Sequence, residues 1–189
     1  MTDAPTLTSP IYVDEFESYI TLPENADRRF ELIHGEIVEK MPAEKHNLVS
    51  GNLYFFLRIF LTTHRLGRLT YETRYRASEG DTLNDRIPDL SFTSNERLLP
   101  VVERGAVPQI PDLCIEIQSP DDYPKMMREK ATYYLENGAR QVWLIFVKRR
   151  WIEVMYPDGS SDAFHVGDVL VGGDVEAAAR LEIQINHRH

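Results

Sequence analysis

Three charged residues in the middle of the chain have the types and the setting of a metal-assisted hydrolytic site. Asp89 and Glu116 each lie in a short apolar run typical of a buried strand, and Lys130 lies on the helix predicted to follow. Charged side chains are rarely buried unless they are paired or bind a metal. Two carboxylates and an amine on facing core elements are what a divalent-metal site for phosphodiester hydrolysis requires. The pattern therefore favours a nuclease.

Strand alternation indicates where the two acids point. The run from Asp112 to Gln118 alternates, which places Glu116 and Gln118 on one face of the predicted strand. In the run 87–92, Asp89 is predicted to project from the middle of a strand, opposite to its apolar neighbours. Either acid alone is equally explained by an exposed edge strand or a buried ion pair. It is their combination with the lysine that favours a site.

Lys130 is predicted to lie on the face of its helix that packs on the sheet. The helix is predicted over residues 121–136, and Lys130 lies three or four residues from apolar or aromatic neighbours: Met126, Met127, Tyr133 and Tyr134. A lysine there either extends outward to solvent along its aliphatic stem or reaches inward to a carboxylate. Lys125 and Arg128 lie off this stripe and are expected in solvent.

These residues predict a site for Mg²⁺ or Mn²⁺. Asp89 and Glu116 supply hard oxygen ligands, and the main-chain carbonyl near Ile117 could add another. Such an ion lowers the pKa of a bound water and neutralises charge on the scissile phosphate. Lys130 would orient the water or stabilise the transition state. Gln118 could hold the attacking water by a hydrogen bond but cannot act as a base.

Two further candidates come from the N-terminal third of the chain. Glu31 lies in a predicted strand, where it would either complete a metal shell or form a salt bridge within a hairpin. His46 opens a long helix, where a lone histidine is a cap, a surface group or a catalyst. Cys114, inside an apolar strand, is expected to be a small core residue.

Composition limits the class of protein. The chain has 189 residues and one cysteine, which excludes an intrachain disulfide and a multi-cysteine zinc site. Residues 1–10 have no basic or apolar segment of a secretory signal and are expected to form a flexible tail before a single domain over 11–189. No apolar run approaches the ~20 residues of a membrane span, and a cytoplasmic location is expected.

The formal net charge of −9 argues against broad, sequence-independent binding of nucleic acid. It does not exclude a nuclease, because a bound metal ion reverses the local field. Basic residues do cluster locally, in three groups: Arg65 with Arg68, Arg74 with Arg76, and Lys148 to Arg150. Each group is either a solvated face or a phosphate contact.

The coarse pattern of elements predicts an α/β fold. Helices are expected over 14–22, 44–66 and 121–136, and strands over 30–34, 36–41, 69–76, 87–92, 112–118, 141–147 and 151–156. The strand–helix–strand unit over 112–147 predicts two parallel neighbours, and hence a central mixed sheet flanked by helices. Residues from 166 onward give no clear pattern.

The helix predicted over 44–66 has an apolar arc wider than one core-facing stripe requires. Its apolar residues are Leu48, Val49, Leu53, Phe55, Phe56, Ile59, Phe60 and Leu61. Such a helix is either central to the fold or buried between subunits. For a domain of this size we expect partial burial in a homodimer.

An ordered set of motifs over roughly residues 11–159 resembles the Uma family of bacterial proteins. The set comprises RFELIHGEIV (29–38), His46 with GNL (51–53), Pro88-Asp89, EIQSP (116–120), and Lys130 through Tyr134, Gly138 and Trp143. The resemblance implies the restriction-endonuclease-like fold of the PD-(D/E)XK superfamily. Together with the site argued above, it makes a Mg²⁺- or Mn²⁺-dependent DNA endonuclease the first hypothesis, although the sequence does not decide between DNA and RNA as the substrate.

The resemblance assigns roles residue by residue. Asp89, with the proline before it, is the first acid of the signature and Glu116 is the second. The lysine expected two residues after the second acid is replaced by Gln118, and Lys130 falls where the family carries a lysine that could supply the missing amine. Glu31 falls at the family's early glutamate. Residues 172–189 do not follow the family's usual ending.

Two other readings stay open at this point. A nuclease fold without catalytic activity could bind nucleic acid or a protein partner. Alternatively, Glu116 and Lys130 could form a purely structural ion pair, in which case Glu116→Gln would chiefly alter stability.

Overall fold

A six-stranded mixed sheet with a long helix on each face forms the centre of the computed structural model, which describes residues 9–41, 43–120, 122–165 and 168. The helices are α1 (Val13–Ile20), α2 (Glu44–Thr63) and α3 (Pro124–Glu136). The strands are β1 (Arg29–Ile33), β2 (Glu36–Lys40), β3 (Gly67–Tyr71), β4 (Leu90–Ser94), β5 (Leu113–Ile117), β6 (Gln141–Phe146), β7 (Trp151–Met155) and β8 (Ser161–His165). Short 3₁₀ turns span Pro23–Asn25 and Asn95–Arg97.

The sheet has the order β3-β4-β5-β6-β7-β8. Its central pair, β5 and β6, is parallel and connected through α3, while the other neighbouring pairs are antiparallel. Strands β1 and β2 form a separate antiparallel hairpin. The predicted α/β class, with a central mixed sheet flanked by helices, is confirmed.

Strand β5 is buried on both faces, which places its acid in the interior. Leu113, Ile115 and Ile117 pack in the cluster that contains the buried leucines of α2. Cys114 packs on the opposite side, in the cluster that contains α3 residues, and is a core residue as predicted. By alternation Glu116 shares the face of Cys114 and points towards α3.

The hairpin is closed by a turn that requires glycine. His34 and Gly35 both have positive φ, 51° and 81°, as a type I′ turn demands. A Cβ added to Gly35 would stand 2.6 Å from Pro10 Cβ, so the turn also lacks room for a side chain. The hairpin is joined to the chain entering β4 by paired backbone bonds of 2.9 Å between Leu32 and Asp85.

Several element boundaries differ from the predicted ones. Strand β4 begins at Leu90, so the prediction that Asp89 projects from mid-strand is wrong: its carboxylate, not its backbone, bonds to β5, at Ile117 N–H. Strand β3 ends at Tyr71, because Glu72 turns the chain with φ 43°. Helix α3 begins at Pro124, whose missing N–H suits a first turn.

Strand β8 was not expected from the sequence, because its exposed, alternating polar residues resemble a loop. The predicted tail over residues 1–10 lies outside the described residues except for 9 and 10. The segment 172–189 also lies outside them. Among the described residues no helix is long and apolar enough to cross a membrane.

Candidate active site

A cavity of about 260 Å³ opens where β5 ends, between the hairpin, the first turn of α2 and α3. Its lining includes a group of buried or half-buried ionisable side chains: Glu31, Lys40, His46, Arg86, Asp89, Glu116 and Lys130. These residues come from five separate chain segments, and most of them are in direct contact with one another.

Asp89 is held by three donors. Its Oδ1 accepts a hydrogen bond from Lys40 Nζ at 2.7 Å. Its Oδ2 lies 3.0 Å from His46 Nε2 and 2.7 Å from the backbone nitrogen of Ile117. Lys40 also donates to the carbonyl of Ile87 at 2.8 Å. Because Asp89 is only 2% exposed, these contacts replace nearly all of its hydration.

The second half of the site is centred on Lys130. Its Nζ lies 2.9 Å from Glu31 Oε2 and 3.1 Å from Glu116 Oε2. Tyr134, one turn further along α3, donates its hydroxyl to Glu116 Oε1 at 2.8 Å. Glu31 accepts a further bond from the backbone N–H of Ile87 at 2.7 Å. A single amine thus bridges two buried carboxylates.

Opposite charges keep Asp89 and Glu31 ionised. Burial alone would raise the pKa of both, because it removes water from the carboxylate. For Asp89, Lys40 and His46 outweigh burial and hold the pKa well below its usual range. For Glu31, Lys130 and Lys40 lower the pKa in the same way. Burial would lower the pKa of each lysine, but the carboxylates raise it, so both amines are charged.

Glu116 and His46 are shifted in the direction that favours a bound proton. Burial raises the pKa of Glu116, and the nearby charges of Asp89 and Glu31 act against the opposing effect of Lys130. Burial lowers the pKa of His46, but the hydrogen bond to Asp89 more than compensates and the pKa is raised. Glu116 is therefore the carboxylate whose ionisation the folded site favours least.

The structure brings most of the predicted site residues together. Lys130 takes the inward of its two possible orientations. Glu31 pairs with this lysine on α3, not with a partner in its own hairpin. His46 is buried in the first turn of α2 and contacts Asp89. Off the stripe, Lys125 is 88% exposed, whereas the guanidinium of Arg128 pairs with Glu153.

Gln118 is not brought into the cavity. Its side-chain amide donates to the carbonyl of Asp122 at 3.0 Å, in the loop that leads to α3. The residue before it, Ile117, does line the cavity, and its backbone N–H contacts Asp89. The main chain at this end of β5 is thus part of the site, while the side chain at the position where the resemblance predicts a lysine is not.

Lys40 and the contact of Tyr134 with Glu116 were missed by the sequence analysis. The signal for Lys40 lies in the hairpin: Glu31 pairs with Val38, so Lys40, two residues further on, lies on the same face as Glu31. Tyr134 lies four residues after Lys130 and therefore on the same face of α3. Both residues could have been placed in the site once Glu31 and Lys130 were taken to be buried.

The donor set fits a hard divalent cation. Within the described ranges no three His, Cys, Asp or Glu side chains are grouped closely enough to hold a metal alone. Mg²⁺, however, is commonly bound by one or two carboxylates, with water and substrate phosphate as the other ligands. Asp89 and Glu116 meet that requirement. Each already holds a cation at one oxygen, the ammonium of Lys40 or Lys130, so both carboxylates are arranged to bind positive charge.

The two acids should respond differently to replacement by amides. Asp89→Asn leaves Lys40 and His46 buried without a counter-charge, so we expect the free energy of unfolding to fall by about 3–5 kcal/mol at neutral pH. Glu116→Gln removes a carboxylate whose ionisation costs stability, and its shape preserves the bond from Tyr134. For it we expect a change of no more than about 1 kcal/mol. Urea denaturation measures both.

The difference in the free energy of unfolding between wild type and Asp89→Asn should also depend on pH. The pKa of Asp89 is depressed in the folded protein, so its contribution is present above the unfolded pKa of about 3.9 and is lost as the pH falls towards the folded value. The free energies of unfolding of the two proteins should therefore approach each other progressively as the pH falls below about 4. A difference that stays constant into this acid range would contradict the role given to the carboxylate.

Comparison with solved structures gives a similar protein of known architecture. A crystal structure described as a putative nuclease belonging to DUF820, from Anabaena variabilis ATCC 29413, superposes with a TM-score of 0.73. The two sequences are 26% identical, and the match covers 91% of this chain and 94% of the other. Its nuclease-like fold agrees with the restriction-endonuclease-like fold predicted here. A search of curated proteins found no match.

Comparison with family models gives the family. The model described as "Uma2: Putative restriction endonuclease" matches residues 14–182, a range that includes every element from α2 to β8 and all the cavity residues described above. The chain belongs to the Uma2 family.

Proposed function

We propose that the protein is a metal-dependent nuclease that hydrolyses phosphodiester bonds of DNA. The proposal rests on one observation: Asp89, Glu116 and Lys130, from three separate chain segments, line the same solvent-connected cavity. The description of the family as restriction endonucleases and the nuclease-like neighbour support it.

In this proposal Asp89 and Glu116 hold Mg²⁺ or Mn²⁺, with the main-chain carbonyl of Ile117 as a third ligand. When bound, the ion supplies positive charge at the scissile phosphate and lowers the pKa of a water. Lys130, kept charged by its two carboxylates, stabilises negative charge that develops on the phosphate. Tyr134 fixes the orientation of Glu116 by its hydrogen bond.

Glu31 and His46 act as positioning residues in the proposal. Glu31 draws the amine of Lys130 towards the hairpin, which keeps it between two carboxylates instead of on one. His46 holds Asp89 Oδ2. The contact of Glu31 with Lys130 supports this role over a direct place in the metal shell. Gln118 is left without a part in the chemistry, because its side chain does not line the cavity and its amide donates to the carbonyl of Asp122.

A plasmid cleavage assay tests the proposal. Purified protein should nick supercoiled DNA with Mn²⁺ or Mg²⁺ and not with EDTA. Glu116→Gln and Lys130→Ala should each reduce the rate by about 100-fold or more, the scale of losing one electrostatic contact to a transition state. Lys125→Ala, which removes an exposed lysine from the same helix, is the matched control and should cut at the wild-type rate.

Glu116→Gln separates an active site from a structural ion pair. A site predicts a stable protein that no longer cleaves, whereas a purely structural pair predicts a destabilised one. Equal cleavage by wild type and by both variants would assign any nicking to a contaminant and refute the proposal.

A second function is favoured by the position of Gln118. The side chain of Gln118, which stands where the resemblance expects the signature lysine, does not line the cavity. A module that binds nucleic acid or a protein partner without cleaving it is therefore the alternative. Well-folded protein that neither cleaves DNA nor binds Mn²⁺ in calorimetry would favour this alternative.

DNA as the substrate is supported by a basic turn beside the cavity. Strands β5 and β6 are parallel, and Ile117 is paired with Ile145. The turn at 148–150 therefore lies at the same end of the strands as the site, about 10 Å beyond that pair. Lys148, Arg149 and Arg150 are exposed, and none forms an ion pair within the described part of the chain.

The other basic groups are less suited to phosphate. Arg74 and Arg76 are committed to the carboxylates of Asp85 and Glu17. Arg65 precedes β3 and therefore lies at the opposite end of the strands, where β5 starts. In a chain with a net charge of −9, the exposed cations at 148–150, which form no ion pair with any described residue, are therefore the basic group best suited to contact phosphate.

Salt dependence tests the basic turn. Replacing Lys148, Arg149 and Arg150 by alanine should make the slope of log K against log salt for duplex DNA less steep by about 2–3, since each phosphate contact contributes about 0.9. Arg149→Ala alone should change the slope by about 0.9, while Arg65→Ala, an equal change of charge at the far end of the strands, should not change it. Equal slopes for these two single variants would exclude the turn as the contact.

A homodimer is proposed from the outer face of α2. Four large apolar side chains form a stripe exposed to solvent: Leu48 (61% exposed), Phe55 (58%), Phe56 (48%) and Ile59 (49%). Gly51 lies on the same helix with open space where a side chain would be, which leaves room for close approach of a second helix. Two copies joined here would hold two cavities in one assembly.

Analytical ultracentrifugation tests the dimer. Wild type should sediment as a dimer, and Phe55→Ser with Ile59→Ser should shift it to a monomer with unchanged circular dichroism, because both side chains are on the exposed face. Leu57→Ser would not be a useful test, since that residue is in the core. A wild-type protein that stays monomeric at high concentration would contradict the dimer.

A further inference from the structure

Lys40 is the partner of Asp89 that faces the cavity. Its amine is bonded to Asp89 Oδ1 at 2.7 Å and to the carbonyl of Ile87 at 2.8 Å. The side chain of Lys40 lines the cavity and is 17% exposed, whereas the side chains of Asp89 and His46 are buried. Of these three side chains, Lys40 is therefore the one that is open to solvent.

The two oxygens of Asp89 are not equivalent. Oδ2 accepts from both His46 and the backbone N–H of Ile117, and these donors belong to the packed ends of α2 and β5. Among the described residues, Lys40 is the one donor to Oδ1. A cation that binds Asp89 without disrupting the fold must therefore approach Oδ1, where the ammonium already lies.

An ammonium and a divalent ion cannot both be close to Oδ1 at low cost. Mg²⁺ binds carboxylate oxygen at about 2.1 Å, which would place it only a few ångströms from an amine bonded to the same oxygen. Charges of +2 and +1 at such a distance repel strongly in a partly buried site. The flexible stem of lysine allows the amine to leave while the backbone of β2 stays in place.

We propose that Lys40 and the metal ion compete for Asp89. In the metal-free protein the amine neutralises Asp89 and keeps the site folded. Metal binding releases the amine from Oδ1, and the free ammonium then contacts a substrate phosphate at the mouth of the cavity. This inference rests on the proposed metal-dependent function. It adds that Lys40 lowers the affinity of the site for the metal ion and raises the rate of DNA cleavage.

Mn²⁺ titration by calorimetry tests the competition. Lys40→Met removes the charge and keeps the length of the stem, and it should bind Mn²⁺ about tenfold more tightly or better. Lys40→Arg keeps the charge and should bind no more tightly than wild type. Lys45→Met removes an exposed lysine from the first turn of α2 and should leave the affinity unchanged. At saturating Mn²⁺, Lys40→Met should still cleave DNA more slowly than wild type.

The outcomes separate this inference from the function on which it rests. Equal Mn²⁺ affinity in wild type and Lys40→Met, with cleavage intact, overturns the role of Lys40 alone. No Mn²⁺ binding to any variant overturns both the metal-dependent function and the competition.

A measurement on the wild-type protein covers the case in which Lys40→Met does not fold. In protein labelled with ¹⁵N-lysine, the Nζ resonance of Lys40, assigned by its loss in Lys40→Arg, should move towards that of a free lysine on addition of diamagnetic Mg²⁺. A resonance that stays unchanged at saturating Mg²⁺ overturns the proposal.

Discussion

Neutralisation of three carboxylates buried in one cavity is the constraint on which this structure depends. Asp89, Glu31 and Glu116 are each at most 5% exposed, and burial of an unpaired carboxylate is too costly for a marginally stable fold. Two amines and an imidazole, drawn from the hairpin, α3 and α2, supply the opposing charge. Each of those elements must dock at the end of β5 for the charges to balance.

The apolar core alone would not bring these elements to one point. Its buried residues form three separate clusters: one between α2 and the sheet, one between α3 and the sheet, and one between α1 and the hairpin. The charged cavity lies where elements of all three meet. Ion pairs such as Lys40 with Asp89 and Lys130 with Glu31 therefore connect the hairpin to the sheet as well as forming the site.

The sequence was informative where periodicity and chemistry agreed. Glu116 and Lys130 could be assigned because strand alternation and helical spacing both pointed them inward, and the parallel pair followed from one strand–helix–strand unit. Lys40 and the true position of Asp89 could not be found in this way. Both depend on a hairpin docking against a segment some fifty residues later, as the separation of 49 between Lys40 and Asp89 shows, and local patterns do not contain that contact.

The order of these residues along the chain has a consequence for synthesis. Lys40 and His46 precede Asp89 by 49 and 43 residues, so the first half of the cavity can close early. Glu31 and Glu116, by contrast, form their direct ion pairs with Lys130 of α3, which follows Glu116 by 14 residues. A nascent chain that ends before α3 holds two carboxylates without their cation. The cavity is therefore completed late in translation, and truncated chains released by the ribosome lack a finished centre.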